Sequence, residues 1–457
     1  MPRALWNLHG DPEAVNMSEE ERLAGRLARL IQCKTVSNSD VHKVDWKEFQ
    51  KLHDTLREFY PHVYQIMDLD EVGEAGLQFS LKGTGSDKKP LLLMSHQDVV
   101  ETGDPSLWDF APFGGEIIDG CVCGRGSTDC KHLLLAEMEA VDGLLAQGWR
   151  PDYDLYLSFG FAEEVYLEND VDGGEQLTRN LEKKGVHLGA VVDEGAEIET
   201  KEDGTIVANI GLAEKSPVNY EIYKDCAGGH SSKPGRGTAL GAIAKAIVAI
   251  ESHPFPYRLT PLAKAQLQGA APTAPEDRKA IYEDPEGHWQ ELCKLALDDP
   301  ALDALLHTTI AFTMSSASNQ PNVLPSHAAA QMSVRIMQGD TVDGCMEYFK
   351  QFLPEGVKIR HVSGKDPLPA SSPDSHVCRT AEKVLKAMYG DKVLIAPFLF
   401  LGGTDSHYYK RIADNVMLFS GYMRDERWGG MHQVNEKIPM DALPGSVEFF
   451  TKLLKEY

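Results

Sequence analysis

Amphipathic helical segments alternate with short apolar segments through the first part of the chain, and this alternation limits the folds that the chain can adopt. Residues 18–31 and 46–59 each place apolar side chains on one helical face, and Ser18 followed by Glu21 predicts a capping box. Strands are predicted at 63–67, 77–81, 90–94, 154–161 and 188–192, with helices at 133–147 and 174–184 among them. Such alternation predicts an α/β layer with a mostly parallel sheet.

The middle of the chain has a different order of elements. Strand, helix, strand, strand, helix and strand are predicted in turn, at residues 218–223, 239–250, 308–314, 328–336, 342–352 and 357–362. This is the ferredoxin-like arrangement of a small α+β domain, with a proline-punctuated helical insertion at 253–306. The α/β pattern resumes after it. We therefore predict one large domain, formed by 1–213 and 366–457, that is interrupted by an inserted domain at 214–365.

Charge and cysteine usage exclude several classes of protein. With 69 acidic and 45 basic side chains the formal net charge is −24, which leaves no basic surface for nucleic acid or for an anionic membrane. No apolar run approaches the ~20 residues that span a bilayer, and the N-terminal segment lacks the apolar core of a secretory signal. Eight scattered cysteines are typical of reduced thiols, so a cytoplasmic location is expected.

Side chains that can carry chemistry follow the predicted strands. His96 and Asp98, in MSHQDVV, project to the same side of an extended chain. Asp129 follows the glycines of GRGSTDCK just before a helix, and Glu163 and Glu164 are adjacent after the strand that ends in SFGF. Taken alone, each has an ordinary structural explanation: a strand-end histidine, a helix N-cap and a solvated glutamate pair.

Two further segments change this interpretation. Asp193 and Glu194 follow another strand in VVDEGAEI, and His432 lies in a loop before the last helix. Open α/β sheets place their sites at the carboxyl ends of strands, so imidazoles and carboxylates should converge there. Such a donor set suits two divalent ions, zinc first, with cobalt and manganese as alternatives. Because neighbouring side chains diverge, one glutamate of the pair can bind metal while the other acts as an acid and base in hydrolysis.

The motifs resemble the di-zinc amidohydrolase and metallocarboxypeptidase superfamily, which includes aminoacylases, desuccinylases and glutamate carboxypeptidase. Within it, the chain is most similar to the branch of carboxypeptidase S and the N-acyl amino acid amidohydrolases. The resemblance extends from about residue 23 to residue 455 and includes H-x-D at 96–98, GRG-x-x-D-x-K at 124–131, DEG at 193–195, GGHSS-x-P at 228–234, DPLP at 366–369, GGTDS at 402–406 and H-x-V-N-E at 432–436.

This resemblance implies a ligand set with one shared carboxylate: His96 and Asp193 for one zinc, Glu164 and His432 for the other, and Asp129 as the bridge. It implies that Glu163 is the general base that activates water and then protonates the leaving nitrogen, and that Asp98 orients His96. It also implies a zinc-exopeptidase-like catalytic domain and a cis peptide bond at Asp129–Cys130.

The inserted domain is implied to serve as a lid and a dimerisation domain. In the family a histidine that matches His230 reaches across a dimer interface and stabilises the oxyanion in the partner's site. Asn322 and Arg335 match positions that help to bind substrate. The loop that receives the substrate's carboxylate is matched by Gly402, Gly403 and Thr404.

Three departures from the family concern the substrate pocket, and no metal ligand or base is missing. Ala162 stands where relatives often have Asp, His407 stands where close relatives commonly have Arg, and VYLENDVDGGEQL after the glutamate pair is longer and more acidic than usual.

We predict a zinc-dependent hydrolase, a homodimer, that cleaves an amide bond next to a free carboxylate in N-acyl amino acids or short peptides. The alternatives are a dipeptidase or deacetylase of the same superfamily, and a non-catalytic metal-binding or regulatory homologue.

Overall fold

The computed structural model describes residues 17–85, 87–165 and 172–457. Two sequence expectations fall partly or wholly on the remaining residues. The N-terminal segment judged to lack a secretory signal is largely residues 1–16, and the acidic segment after the glutamate pair includes residues 166–171. Both of these stretches lie outside the described residues.

The strands of the described chain are β1 Asp68–Val72, β2 Gly76–Leu81, β3 Leu91–His96, β4 Glu116–Ile118, β5 Cys121–Cys123, β6 Leu155–Gly160, β7 Leu188–Asp193, β8 Ile198–Thr200, β9 Ile206–Glu214, β10 Ser216–Asp225, β11 Gly229–His230, β12 Thr309–Ser316, β13 Val323–Leu324, β14 His327–Ile336, β15 Lys358–Ser363, β16 Leu394–Phe400, β17 Ala413–Leu418, β18 Met423–Arg424 and β19 Lys437–Pro439. The helices are α1 Glu19–Ile31, α2 Trp46–Phe59, α3 Pro61–Ile66, α4 Lys131–Ala146, α5 Gly173–Lys183, α6 Ala239–Glu251, α7 Pro261–Ala270, α8 Glu276–Glu283, α9 Trp289–Ala296, α10 Pro300–Leu306, α11 Val342–Lys350, α12 His376–Tyr389, α13 Ser406–Tyr409 and α14 Leu443–Glu456.

A large mixed sheet forms the centre of the first of two compact units, which comprises the residues up to 211 together with 371–396 and 404–457. Its strand order is β1-β2-β6-β3-β7-β17-β9-β8-β18. The central pairs β6–β3, β3–β7 and β7–β17 are parallel. This arrangement confirms the predicted α/β class, with the parallel strands in the middle of the sheet.

Helices cover both faces of the central strands, which explains why those strands are apolar without interruption. All six residues of β3 are buried. Leu92 and Met94 pack with Leu177 and Leu181 of α5 on one face, while α4 contacts β3 and packs against α1 and α14. The predicted capping box is present at the start of α1, where Ser18 and Glu21 bond to each other's backbone N–H.

One strand prediction is wrong, since residues 63–67 fall largely in helix α3 and the strand begins only at Asp68. Two features explain the helix. Pro61 stands in its first turn, where proline loses no hydrogen bond. The Asp142 carboxylate of α4 accepts bonds from the backbone N–H groups of His62 and Val63. That contact comes from the tertiary fold, and the local pattern does not reveal it.

The second unit comprises residues 212–370 and 397–403. Its antiparallel sheet has the order β12-β14-β10-β15, and α6 and α11 pack on one face of that sheet through Ile243, Ile250 and Phe349. Helices α7, α9 and α10 form a separate apolar cluster around Leu267, Leu292 and the neighbouring leucines of α10. Within the described residues, none of the helices is long and apolar enough to span a bilayer.

Candidate metal centre and active site

Three neighbouring parallel strands deliver the candidate residues to one edge of the large sheet. His96 is the last residue of β3, and in the register of β3 with β6 it pairs with Gly160, which precedes the glutamate pair by three residues. Strand β7, on the other side of β3, ends at Asp193. Because the carboxyl ends of parallel strands share an edge, the sheet brings these groups together.

One group of ligand atoms surrounds the His96 imidazole. Its Nε2 lies 3.0 Å from Asp129 Oδ1 and 3.3 Å from Glu194 Oε1. The Cys130 thiol belongs to the same group of converging donor atoms. His96 is 2 % exposed and Asp129 is 8 % exposed, so this group is withdrawn from solvent.

A second group shares Asp129 with the first. His432 Nε2 lies 3.0 Å from Asp129 Oδ2 and 2.9 Å from Glu164 Oε2. The two oxygens of Asp129 therefore face two different histidines, as a bridging ligand between two ions requires. The other carboxylate oxygen of Glu164, Oε1, is buried and has no hydrogen-bond partner.

The segment that carries Asp129 depends on glycine. Gly126 has φ +90°, and a Cβ at this position would lie 2.8 Å from a methyl group of Val99. The positive φ and the lack of space for a Cβ both require glycine in the turn that precedes Asp129 and α4. The Asp129–Cys130 peptide bond is cis, as the resemblance implied.

Asp98 holds the glutamate pair more directly than it holds His96. Its carboxylate oxygens accept bonds from the backbone N–H groups of Glu163, at 3.2 Å, and Glu164, at 3.3 Å. The Nδ1 atom of His96 lies 3.0 Å from the Asp98 carbonyl oxygen and 3.6 Å from its carboxylate. Asp98 therefore orients the histidine mainly through its backbone, and its side chain fixes the turn of the pair.

The buried carboxylates make the site electronegative. Burial, together with repulsion from neighbouring carboxylates, raises the pKa of Glu164 and of Asp193 to about 7 and raises the pKa of Glu163 well above its ordinary value. Hydrogen bonds with Asp129 and Glu164 raise the pKa of His432 to about 10. Positive charge is thus strongly favoured here, and divalent ions are the usual way to supply it.

The donor set fits divalent first-row transition metals and zinc. Each group combines an imidazole nitrogen with carboxylate oxygens, which are ligands that Zn²⁺, Co²⁺ and Mn²⁺ accept. The unpartnered Glu164 Oε1 is an independent sign, because a buried carboxylate oxygen without a donor is costly unless a cation satisfies it.

At the end of β7 the structure differs from the expectation for the His96 side. Glu194, and not Asp193, has a carboxylate oxygen within the converging group. The Asp193 carboxylate accepts bonds from the backbone N–H groups of Glu194 and Ser406 instead. The sequence places Glu194 next to Asp193 without assigning it a role, and the adjacent acids of the DEG segment are the signal that marks both as candidates.

The residues proposed to contact substrate lie in different places. His230 and Asn322 are exposed neighbours in the second unit, where β11 pairs with β13 and the Ser231 N–H donates to the Asn322 carbonyl. Arg335 lies near the other end of β14, opposite Thr309 of β12 and Pro217 of β10.

The GGTDS loop is divided between the units. Gly402 and Gly403 belong to the second unit, and Thr404 belongs to the first. Thr404 is buried with its hydroxyl 2.8 Å from that of Ser406, the residue whose N–H bonds to Asp193.

Known proteins assign the chain to a family. The sequence model described as Peptidase family M20/M25/M40 matches residues 92–456. Probable carboxypeptidase S-like 2 of Dictyostelium discoideum is 28% identical over 444 residues, which cover 95% of this chain and 84% of that protein. The human N-fatty-acyl-amino acid synthase/hydrolase PM20D1 is 28% identical, with 96% and 88% covered. The solved M20 family metallo-carboxypeptidase Sso-CP2 of Sulfolobus solfataricus gives a TM-score of 0.70 at 19% identity, with 96% of this chain and 99% of that chain covered. The predicted resemblance is confirmed, and the chain belongs to peptidase family M20/M25/M40.

Proposed function

We propose that the chain is a metal-dependent hydrolase that cleaves an amide bond next to a free carboxylate, in N-acyl amino acids or in short peptides at their C-terminus. The observation that carries this proposal is the bridging position of Asp129 between His96 and His432, with the buried side chain of Glu164 on His432. Relatives named as carboxypeptidase S-like proteins and as N-fatty-acyl-amino acid hydrolases support the same reaction class.

The proposed ligands are those of the sequence prediction, with Asp129 shared: His96 and Asp193 on one side, Glu164 and His432 on the other. Two zinc ions are proposed, because nitrogen and carboxylate donors suit zinc, and cobalt or manganese would serve as substitutes. When bound, the ions polarise the substrate carbonyl and lower the pKa of water.

Glu163 is the proposed general base. Its backbone N–H donates to Asp98, and its carboxyl interacts electrostatically with His96, Glu194 and Glu164. It takes a proton from water as the water oxygen attacks the carbonyl carbon, and it gives that proton to the nitrogen as the carbon–nitrogen bond breaks. A raised pKa suits a group that must both accept and return a proton.

Substrate binding and oxyanion stabilisation are assigned to the remaining predicted residues. We propose that Arg335, Asn322 and the Gly402–Thr404 loop bind the substrate, and that His230 of a partner subunit stabilises the oxyanion. The homodimer that this requires is supported by the outer strand β12, whose exposed backbone edge and 64 % exposed Met314 offer a surface for pairing.

A cytoplasmic location is also proposed. All eight cysteines lie within the described ranges and are unpaired, as expected in a reducing compartment. Disulfides found by mass spectrometry in alkylated protein isolated from its source would contradict this location.

A dipeptidase or deacetylase activity is the alternative within the superfamily. Human carnosine dipeptidase 1 has the same fold, with a TM-score of 0.64 at 15% identity, and that likeness concerns the fold alone. Profiling against N-acyl amino acids, C-terminal peptides and dipeptides separates these activities.

The test of the proposed function is Glu163→Gln in metal-loaded enzyme. We expect kcat to fall by about 10²–10⁴-fold because the proton carrier is lost, while two ions per chain remain bound. Glu164→Gln is the matched control, and it should lose metal as well as activity. A Glu163→Gln enzyme with full activity would overturn the assignment, and a wild-type protein that binds less than one tight divalent ion per chain would favour the non-catalytic homologue.

A further inference from the structure

Glu436 lies where the segment of Asp129 meets the segment of His432. Its Oε1 atom accepts bonds from the backbone N–H groups of Gly126, at 3.0 Å, and Thr128, at 2.8 Å, and from the Thr128 hydroxyl, at 2.9 Å. The N–H of Asp129 itself points to the same oxygen, at 3.3 Å. Closely spaced backbone N–H groups that converge in this way form a concave anion site, and here the anion is a side chain of the protein.

The other oxygen of Glu436 is paired with Arg125. The Arg125 guanidinium donates to Glu436 Oε2 and lies over the Trp108 ring, 5.3 Å from its centre. Glu436 is 0 % exposed and Arg125 is 2 % exposed. A buried charge with this many donors is held tightly, and removing one partner of a buried pair is far more costly than at the surface.

The backbone on either side of Glu436 is bound to the same region. The Gly124 N–H donates to the Glu436 carbonyl, and β19 then pairs with β5, which directly precedes Gly124. The Asp109 backbone N–H donates to Asn435 Oδ1, and Asn435 Nδ2 donates to the Asp109 carboxylate, at 2.8 Å each.

His432 itself has little support of its own. It lies in a loop with φ +59°, and its side chain is 56 % exposed. The nearest residues along the chain that are fixed by several hydrogen bonds are therefore 435–437. Among the described contacts of this stretch, Glu436 is the only buried charged side chain that bonds to the segment of Asp129.

We propose that Glu436 is a positioning residue, which fixes the bridging carboxylate Asp129 relative to His432 and so sets the affinity of the Asp129–Glu164–His432 group for its ion. This inference rests on the proposed function, since it requires that the group bind a metal. Outer hydrogen bonds that orient metal ligands typically change metal affinity by about 10–100-fold when removed.

The experiment measures zinc affinity of Glu436→Gln by competition with a chromophoric chelator, and thermal unfolding with and without zinc. The amide keeps the shape but places an NH₂ group against either Arg125 or the backbone donors. We expect one ion to bind about 10–100-fold more weakly, with a smaller zinc-induced rise in Tm. Thr128→Val removes only one hydroxyl donor to Glu436, so we expect it to weaken zinc binding by a few-fold. If Glu436→Gln does not fold, the zinc affinity of Thr128→Val is the test of the inference.

Glu139→Gln is the matched control. Glu139 is also a buried glutamate, and it forms ion pairs with Arg22 and Arg26. It lies within α4 and contacts none of the proposed metal ligands among the described contacts. It should lower the Tm of the metal-free protein without changing zinc affinity. Unchanged affinity in both Glu436→Gln and Thr128→Val, or an equal loss in Glu139→Gln, would overturn the inference while the proposed function stands. A wild-type protein that binds no zinc would overturn both.

Discussion

At the scale of single residues, neighbouring carboxylates have different contacts, and different roles are proposed for them on that ground. The backbone N–H groups of Glu163 and Glu164 both donate to Asp98, but the Glu164 carboxylate contacts His432, whereas the Glu163 carboxyl interacts electrostatically with His96 and Glu194. The same holds at the end of β7, where Glu194 contacts His96 and Asp193 accepts two backbone N–H bonds. The roles of two carboxylates that are one residue apart therefore have to be separated by experiment.

Zinc binding by Asp193→Asn and Glu194→Gln makes that separation. Hydrogen-bonded carboxylates are typical of metal ligands, because the bonds fix their direction, and the two backbone bonds of Asp193 favour it as the ligand despite the present contact of Glu194 with His96. We expect Asp193→Asn to weaken zinc binding more than Glu194→Gln, measured by chelator competition. The reverse ranking would assign the ligand position to Glu194.

The candidate metal ligands could be selected from the sequence because each follows an apolar strand or a glycine turn. The structure places His96, Asp129 and Glu164 among converging donor atoms, and their role as ligands stays a prediction. Glu436 was named only as a letter of the H-x-V-N-E motif. Its contacts, 308 residues away along the chain at Thr128, depend on the pairing of β19 with β5, and three-residue strands carry almost no periodic signal.

At the scale of elements, strong periodicity predicted bounds well. Helix 46–59 is α2 to the residue, and the strand predicted at 188–192 is β7, which ends one residue later. The predictions fail for short elements. Most of α3 falls in a predicted strand, and no strand is predicted at β4, β5 or β19. Short elements are determined by tertiary partners such as Asp142, so sequence patterns alone underdetermine them.

Lys215, between β9 and β10, offers a prediction on how the second unit responds to pH. It is fully buried and donates to the His307 carbonyl, and burial lowers its pKa from 10.5 to about 8. Between pH 8 and 10.5 the unfolded chain therefore binds a proton that the folded chain does not, so stability rises with pH across this window and falls as pH drops toward 8.

The comparison is wild type against Lys215→Met, by urea unfolding at a series of pH values. We expect the free energy of unfolding of wild type, relative to the variant, to increase by about 3 kcal/mol from pH 8 to pH 10.5. Groups that titrate in both proteins cancel in this difference. A difference that stays constant between pH 8 and pH 10.5 would show that burial does not lower the pKa of Lys215.

At the scale of the whole molecule, the net charge of −24 and the acidic site are separate matters. The proposed site uses few of the 69 acids: Asp98, Asp129, Glu163, Glu164 and Asp193. Most of the excess acidic side chains lie at the solvated surface, where they repel anions at long range. A substrate carboxylate must then be captured locally, and Arg335 with the bound ions is the proposed means.

The proposed homodimer, in which His230 serves the site of the partner subunit, can be tested with mixed subunits. A tagged heterodimer is assembled from one Glu163→Gln subunit and one His230→Ala subunit, each nearly inactive as a homodimer. If His230 serves the partner's site, one of the two sites has both an intact Glu163 and an intact His230, and the heterodimer regains about half of wild-type activity. If His230 serves its own subunit, neither site is complete and activity stays near that of the variants.

The reciprocal pairing inverts the expectation and controls for damage to folding. A wild-type subunit paired with one that carries both substitutions has its only intact base opposite a partner without His230. Action across subunits then predicts near-complete loss, whereas action within a subunit predicts about half of the activity. Half activity in this second heterodimer, or a wild-type protein that is fully active as a monomer by light scattering, would contradict the cross-subunit role, because an oxyanion can be stabilised only by a donor that reaches it.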